Sequence, residues 1–172
     1  MKKISYITFI FLIFVAGCNS KENISADSEG ISQRVESLIS KMTLEEKVGQ
    51  MTQITLSHLL KSNENGVIEP IQIDTTRLRK ALVDHHIGSI LNNGGNANNL
   101  KKWHEIISII QEMALNETRL QIPVLYGIDA IHGANYTQNA TLFPQQIGQA
   151  ATWNPEISRN IGTITAYETR AS

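Results

Sequence analysis

The segment 127–133 (GIDAIHG) holds two residues whose types and setting could do chemistry. Asp129 follows a largely apolar run, 122–128, that is typical of a buried strand. At the mouth formed by strand ends, its carboxylate can accept hydrogen bonds from two neighbouring hydroxyls, as a sugar diol offers. The alternative is that Asp129 caps a turn or a helix. His132 can orient a carboxylate or contact a ligand, but a lone histidine beside a glycine turn is also a common structural residue.

Metal, phosphate and nucleic-acid sites find no support in the sequence. It has no H-E-x-x-H motif, no paired cysteines and no cluster of histidines and carboxylates at ligand spacing. We therefore expect no metal and no cofactor. Residues 92–95 (NNGG) form a loop that lacks the glycine pattern of a phosphate cradle. The net charge of −1 gives no electrostatic reason to bind nucleic acid.

The segments that must position Asp129 alternate between helices and strands. A capping box at 43–46 (TLEE) marks one helix start, and Asp74 or Thr75 and Asn154 are the expected N-caps of two others. Apolar spacing predicts helices over 31–41, 74–83, 98–117 and 154–171, and strands within 50–56 and over 87–91 and 122–128. Apolar strands that alternate with helices favour a parallel sheet with helices outside, an α/β fold. Ligands of such folds bind at the carboxyl ends of the strands, where Asp129 lies.

The first twenty residues have the pattern of a bacterial export signal. Lys2 and Lys3 precede a largely apolar stretch, 4–15, that is shorter than a membrane span. Small residues then precede Cys18, the single cysteine, as in a lipobox, which predicts lipid attachment to its thiol. We therefore predict a lipoprotein signal peptide over 1–17 and a flexible tether over 18–30. An ordinary secretory peptide with a chance cysteine is the alternative.

Cleavage after Gly17 would produce an exported lipoprotein, periplasmic or at the cell surface. The remaining 155 residues would carry a net charge of −3. Such a surface has no attraction to anionic lipid, so the N-terminal lipid is the expected membrane contact. A single cysteine also leaves no partner for an intramolecular disulfide.

Several motifs occur together in the order found in one enzyme family. They are residues 44–51 (LEEKVGQM), 87–91 (IGSIL), 123–133 (PVLYGIDAIHG), 141–148 (TLFPQQIG) and 150–154 (AATWN). In these motifs the chain resembles glycoside hydrolase family 3 over roughly 31–172. The form of the segment around Asp129 resembles the β-glucosidase branch rather than the N-acetylglucosaminidase branch.

The resemblance implies retaining hydrolysis of terminal non-reducing β-D-glucosyl residues, with a β-linked oligosaccharide or glucoside as substrate. It also implies that Asp129 holds hydroxyls of the terminal sugar. A (β/α)8 barrel needs roughly 250 residues, and the helix predicted over 154–171 runs to the chain end without a stop signal. We therefore expect a truncated, N-terminal portion of such a barrel over 31–172. The family's nucleophile and acid/base lie beyond these motifs, so no catalytic residue is assigned and the fragment is expected to be inactive alone.

Two other interpretations of the sequence stay open. The first is a surface lipoprotein that binds sugars without cleaving them, using Asp129 with Trp153 or Tyr136 as stacking platforms. Both aromatic residues could equally be packing residues. The second is a degenerate, inactive member of the family.

Overall fold

The computed structural model describes residues 26–92, 95 and 97–172. The predicted signal peptide, Cys18 and the first part of the predicted tether lie outside these residues. The chain divides into two compact units, Met1–Lys41 and Met42–Ser172.

The described part of the first unit is one helix, α1 (Ala26–Lys41). It begins five residues before the predicted start at Ile31, so the end of the segment predicted as a flexible tether is helical. Composition missed this start because polar residues without proline are compatible with an exposed helix. Its apolar residues Ile31, Val35 and Ile39 are exposed.

The second unit is a mixed α/β assembly. Its helices are α2 (Leu44–Gln50), α3 (Thr75–Arg79), α4 (Leu100–Glu117), α5 (Gln146–Ala150) and α6 (Pro155–Ala171). Its strands are β1 (Gln53–Thr55), β2 (Ser62–Asn63), β3 (Gly66–Val67), β4 (Ser89–Leu91) and β5 (Leu125–Gly127). Across the described ranges of both units, no helix combines the length and the apolar character needed to cross a bilayer.

Strands β1, β4 and β5 form one parallel sheet in that order. Gln53 pairs with Ser89, and Ser89 pairs with Leu125, so the three strands end level with one another. Strands β2 and β3 form a separate antiparallel hairpin, in which Ser62 pairs with Val67 and Asn63 with Gly66. The parallel pairing confirms the predicted α/β class.

Side-chain caps begin most of these helices. The predicted capping box is confirmed, because Thr43 Oγ1 accepts the Glu46 amide and the Glu46 carboxylate accepts the Thr43 amide. Asp74 caps α3 and Asn154 caps α6, with Pro155 in its first turn. Asn99 caps α4, which therefore begins at Leu100, two residues after its predicted start.

Other elements also differ from the sequence predictions. The helix predicted over 74–83 is α-helical only to Arg79 and continues as a π-helical turn, Lys80–Asp84. The strand predicted over 122–128 is limited to β5, because the Gln111 side chain donates to the Val124 carbonyl and accepts its amide. Helix α5 was not predicted, and its N-cap residue Gln145 makes no side-chain cap that could have signalled it.

The two faces of the parallel sheet have different surroundings. Ile54, Ile90 and Tyr126 are paired across the sheet and belong to or pack against the core. That core also contains Ile106 and Ile110 from α4. Residues one position along each strand lie on the opposite face, where Leu125 is 71% exposed. The helices thus cover one face of the sheet in the described chain.

One ion pair ties the start of α2 to the loop after α4. Arg119 donates from Nε to Glu46 Oε1 at 2.9 Å and from Nη2 to Glu46 Oε2 at 2.5 Å. The Glu46 side chain is only 8% exposed. The hydrogen bond from Arg119, followed by that from the Thr43 amide, lowers the pKa of Glu46 from its ordinary value of 4.5. One carboxylate therefore serves a helix cap and an ion pair at once.

This lowered pKa predicts how stability depends on pH. The ionised Glu46 stabilises the folded chain at pH values above 4.5, and that contribution is lost as the pH falls through the lower, folded-state pKa. Glu46→Gln keeps the geometry of a capping box but removes the charge. We expect it to lower the urea midpoint at pH 7 and to reduce the loss of stability between about pH 5 and pH 3.

The matched control is Glu156→Gln in the exposed first turn of α6. It removes the same charge without breaking a described ion pair, so its acid transition should match that of the unmodified chain. Parallel pH profiles for Glu46→Gln and the unmodified chain would contradict the assignment.

Candidate functional site

The residues whose side chains could take part in chemistry lie at the carboxyl ends of β4 and β5. Leu91 pairs with Gly127, so the residues that follow the two strands emerge side by side. Asn92 follows β4 directly, and Asp129 lies two residues after β5. This is the edge of a parallel sheet at which α/β proteins bind their ligands.

Asn92 and Asp129 are joined by two hydrogen bonds. Asn92 Nδ2 donates to Asp129 Oδ2 at 3.2 Å, and the Asp129 amide donates to Asn92 Oδ1 at 3.0 Å. Both polar ends of the Asn92 side chain are therefore used on one residue. The sequence alone did not single out Asn92, because residues 92–95 were interpreted only as a loop. Its position directly after a strand could have indicated it, because Asp129 was chosen for the same position after the strand predicted over 122–128.

The backbone of Asn92 is held from two further directions. Its φ of 61° is in the left-handed region, which asparagine tolerates better than most residues. Its amide donates to the Gly127 carbonyl at 2.9 Å. The Tyr126 hydroxyl donates to the Asn92 carbonyl. Burial raises the pKa of Tyr126, so the phenol keeps the proton that it donates.

Tyr126 is in turn fixed by an aromatic neighbour. The rings of Trp103 and Tyr126 meet edge to face, with centroids 6.0 Å apart and planes at 76°. Trp103 Nε1 donates to the Tyr136 carbonyl at 3.1 Å. Helix α4 thus supports the strand end at which Asn92 and Asp129 meet.

Asp129 is exposed at this edge. Within the described residues its carboxylate accepts from the Asn92 amide group, and no backbone N–H donates to it. It forms no described ion pair with a basic side chain. A turn-capping role therefore has no described contact to support it. The carboxylate can act as a charged hydrogen-bond acceptor toward a ligand.

His132 holds a loop together. Its Nδ1 lies 3.0 Å from the Phe143 carbonyl, and the Phe143 amide donates to the His132 carbonyl at 2.9 Å. A carbonyl only accepts, so Nδ1 carries a proton here. These contacts favour the structural role for His132 over a ligand-binding one.

The same loop depends on a glycine and on α6. Gly133 has a φ of 84°, and a Cβ there would lie 2.3 Å from the Thr141 carbonyl oxygen. Thr141 donates from its amide and its hydroxyl to the Glu168 carboxylate, at 3.0 and 2.8 Å. Helix α6 therefore anchors the loop that follows Asp129.

Trp153 and Tyr136 are the two aromatic residues that the sequence offers as stacking platforms. Trp153 is 94% exposed, and Tyr136 is half-buried, with its backbone carbonyl accepting from Trp103. Among the described residues, neither aromatic side chain forms a hydrogen bond with Asp129. Within residues 26–92, 95 and 97–172, no three histidine, cysteine, aspartate or glutamate side chains are grouped so as to hold a metal ion.

The fold defines an α/β protein whose parallel sheet has polar residues at its carboxyl edge. The model of the glycosyl hydrolase family 3 N terminal domain matches residues 43–172. The chain therefore belongs to glycosyl hydrolase family 3.

Similar proteins include several β-glucosidases. The chain is 39% identical to the lysosomal beta glucosidase of Dictyostelium discoideum, over 80% of the chain and 17% of that protein. It is 28% identical to the periplasmic beta-glucosidase of Salmonella typhimurium, over 78% of the chain and 14% of that protein. A crystal structure of a beta-glucosidase from Listeria innocua in complex with glucose matches at 28% identity with a TM-score of 0.37. That match covers 59% of this chain and 13% of the other. The chain thus spans less than a fifth of the relatives compared.

Gly133 offers a direct test of the loop geometry. Gly133→Ala places a Cβ against the Thr141 carbonyl and requires an unfavourable φ, so we expect a loss of about 1–3 kcal/mol in the free energy of unfolding. Gly162→Ala is the control, because it lies within α6 with no atom within 4 Å of an added Cβ. It should stabilise the chain by about 0.5–1 kcal/mol. Equal urea midpoints for the two variants would contradict this account.

Proposed function

We propose that residues 31–172 are the N-terminal portion of a (β/α)8 barrel in a retaining β-glucosidase. Membership of the family supports the proposal, as do three parallel strands in consecutive order with helices on one face. The names of the similar proteins support β-glucosides as the substrate class. The activity proposed is hydrolysis of terminal non-reducing β-D-glucosyl residues by the full product of the gene.

The observation that carries the proposal is the placement of Asp129 beside Asn92 at the carboxyl ends of β4 and β5. A carboxylate binds two adjacent hydroxyls by accepting a hydrogen bond from each, which suits the diol of a terminal sugar. Such charge-assisted bonds fix the ring and can strengthen as the sugar distorts toward an oxocarbenium-like transition state. Asp129 is therefore proposed as a substrate-binding residue.

No residue of this chain is proposed to break the glycosidic bond. A retaining mechanism needs a nucleophilic carboxylate and an acid/base about 5–5.5 Å apart. Glu45 lies in the first turn of α2 and Asp84 at the end of the π-helical turn. Helix α2 ends against the amino end of β4, where the Gly88 amide donates to the Gly49 carbonyl. Glu45 and Asp84 thus belong to the end of the sheet opposite to Asp129.

We expect Asp129→Asn in the full gene product to lower kcat/KM on p-nitrophenyl β-glucoside about 100-fold, because a charge-assisted hydrogen bond is worth roughly 1.5–3 kcal/mol. Asp84→Asn, which removes one exposed carboxylate at the other end of the sheet, is the control and should be neutral. Unchanged kinetics for Asp129→Asn would defeat the assignment.

Residues 19–172 expressed alone should show no turnover.

A non-catalytic sugar-binding protein is the second candidate, favoured only by the exposed Trp153 side chain. It predicts that the full product binds cellobiose or laminaribiose in a calorimeter without hydrolysing it. Turnover of either disaccharide by the full product would exclude this candidate.

We further propose that the protein is exported and anchored through a lipid on Cys18, with residues 1–17 removed and no other membrane contact. The lipobox-like sequence before Cys18 supports this proposal, as does the periplasmic location named for one relative.

Cys18→Ala should abolish incorporation of labelled palmitate and move the protein from the membrane to the soluble fraction. A thiol is the group that the lipid alkylates, so no other residue should substitute for it. Asn19→Ala is the matched control, since it lies beside the cysteine without changing the thiol. Retention of Cys18→Ala in the membrane fraction would contradict a lipid anchor.

A further inference from the structure

Both polar atoms of the Asn92 side chain form hydrogen bonds with Asp129. Its Nδ2 donates to Asp129 Oδ2 and its Oδ1 accepts the Asp129 amide, so both the carboxylate and the backbone of Asp129 are held. Two bonds between the same pair of residues restrict rotation as well as distance. The bond to Oδ2 therefore restrains the orientation of the Asp129 carboxyl group, while the bond from the amide holds the Asp129 backbone.

The contact leaves one oxygen of Asp129 for a ligand. Oδ2 receives the Asn92 hydrogen bond, while Oδ1 receives none from the described residues. The partner is also a neutral amide. An arginine or lysine would compete with a ligand hydroxyl for the carboxylate and offset its charge, whereas asparagine leaves the full negative charge available.

Asn92 is itself held before any ligand arrives. Its amide bonds to the Gly127 carbonyl and its carbonyl accepts from Tyr126, which Trp103 supports. Its backbone is in the left-handed region at this point, with a φ of 61°. An orientation fixed in advance reduces the entropy lost when the substrate binds and when the transition state forms.

We propose that Asn92 is a positioning residue for sugar binding, which acts only through the orientation of Asp129. The proposal rests on the function proposed above for Asp129. It assigns to the β4 end a role in substrate binding that depends on the side chain of Asn92 and not merely on the loop it begins.

The variant that isolates this role is Asn92→Gly in the full gene product. Glycine adopts the left-handed backbone at no steric cost, so the change removes the side chain without forcing the chain to move. Asn139→Gly is a matched control, because Asn139 is an exposed asparagine with a φ of 66° and no described side-chain hydrogen bond. Both variants replace a left-handed asparagine by glycine.

A double-mutant cycle separates positioning from general stability. We expect Asn92→Gly to lower kcat/KM on p-nitrophenyl β-glucoside at least about tenfold, since a small misplacement of a binding group is costly. In an Asp129→Ala background, the same change should alter kcat/KM by less than about twofold, because Asn92 then has no carboxylate to orient. The dissociation constant for glucose, measured by calorimetry, should follow the same pattern. Asn139→Gly should match the unmodified enzyme.

Two results would overturn the inference while leaving the function of Asp129 intact. One is an equal loss from Asn92→Gly in both backgrounds, and the other is a loss no larger than that of Asn139→Gly. If Asp129→Ala itself leaves kcat/KM unchanged, the proposed function of Asp129 fails instead, and the inference fails with it.

If Asn92→Gly does not fold, Asn92→Asp replaces it, because aspartate keeps the shape and the acceptor but cannot donate to Asp129 when ionised. It should lose at least as much activity as predicted for glycine, and full activity would overturn the inference.

Discussion

The level, parallel pairing of β4 with β5 is the constraint on which the site depends. It places Leu91 opposite Gly127, and the residues after these two positions are therefore neighbours although they are far apart in sequence. A shift by one residue would reverse the faces of the strand and separate Asn92 from Asp129. The register is in turn supported by burial of Ile90, which is completely inaccessible, between paired Ile54 and Tyr126.

The two ends of the sheet use polar contacts for different purposes. At the amino end, Glu46 pairs with Arg119 and caps α2, so its charge is satisfied within the protein. At the carboxyl end, Asp129 is exposed and is met by a neutral amide. A carboxylate that is already paired stabilises the fold, whereas one that is oriented but not neutralised can still bind a ligand. In α/β folds ligands bind at the carboxyl ends of the strands, so a carboxylate without a basic partner at that end is suited to bind one.

Glycines allow backbone segments to approach each other closely at both ends of the parallel sheet. At Gly49, an added Cβ would lie 2.5 Å from the carbonyl oxygens of His85 and His86, where α2 meets the entry to β4. Gly133 allows a comparable approach to Thr141 beyond β5. Short strands of three residues have few ladder hydrogen bonds of their own, so such contacts and the Gln111 side chain help to define where they begin and end.

The sequence by itself determined most of the helices, the caps at Thr43, Asp74 and Asn154 and the parallel α/β class, because these follow from local spacing and residue chemistry. The same reasoning singled out Asp129 as a candidate binding residue. It also carried the motifs by which family 3 could be recognised. It overestimated β5, placed the start of α1 too late and passed over Asn92. The extent of β5 and the position of Asn92 beside Asp129 depend on partners distant in the chain: Gln111 ends the ladder at Val124, and Asn92 meets Asp129 only once β4 and β5 lie side by side. Only the tertiary structure could decide them, since hydrogen bonds between residues about 37 positions apart leave no periodic trace in the sequence.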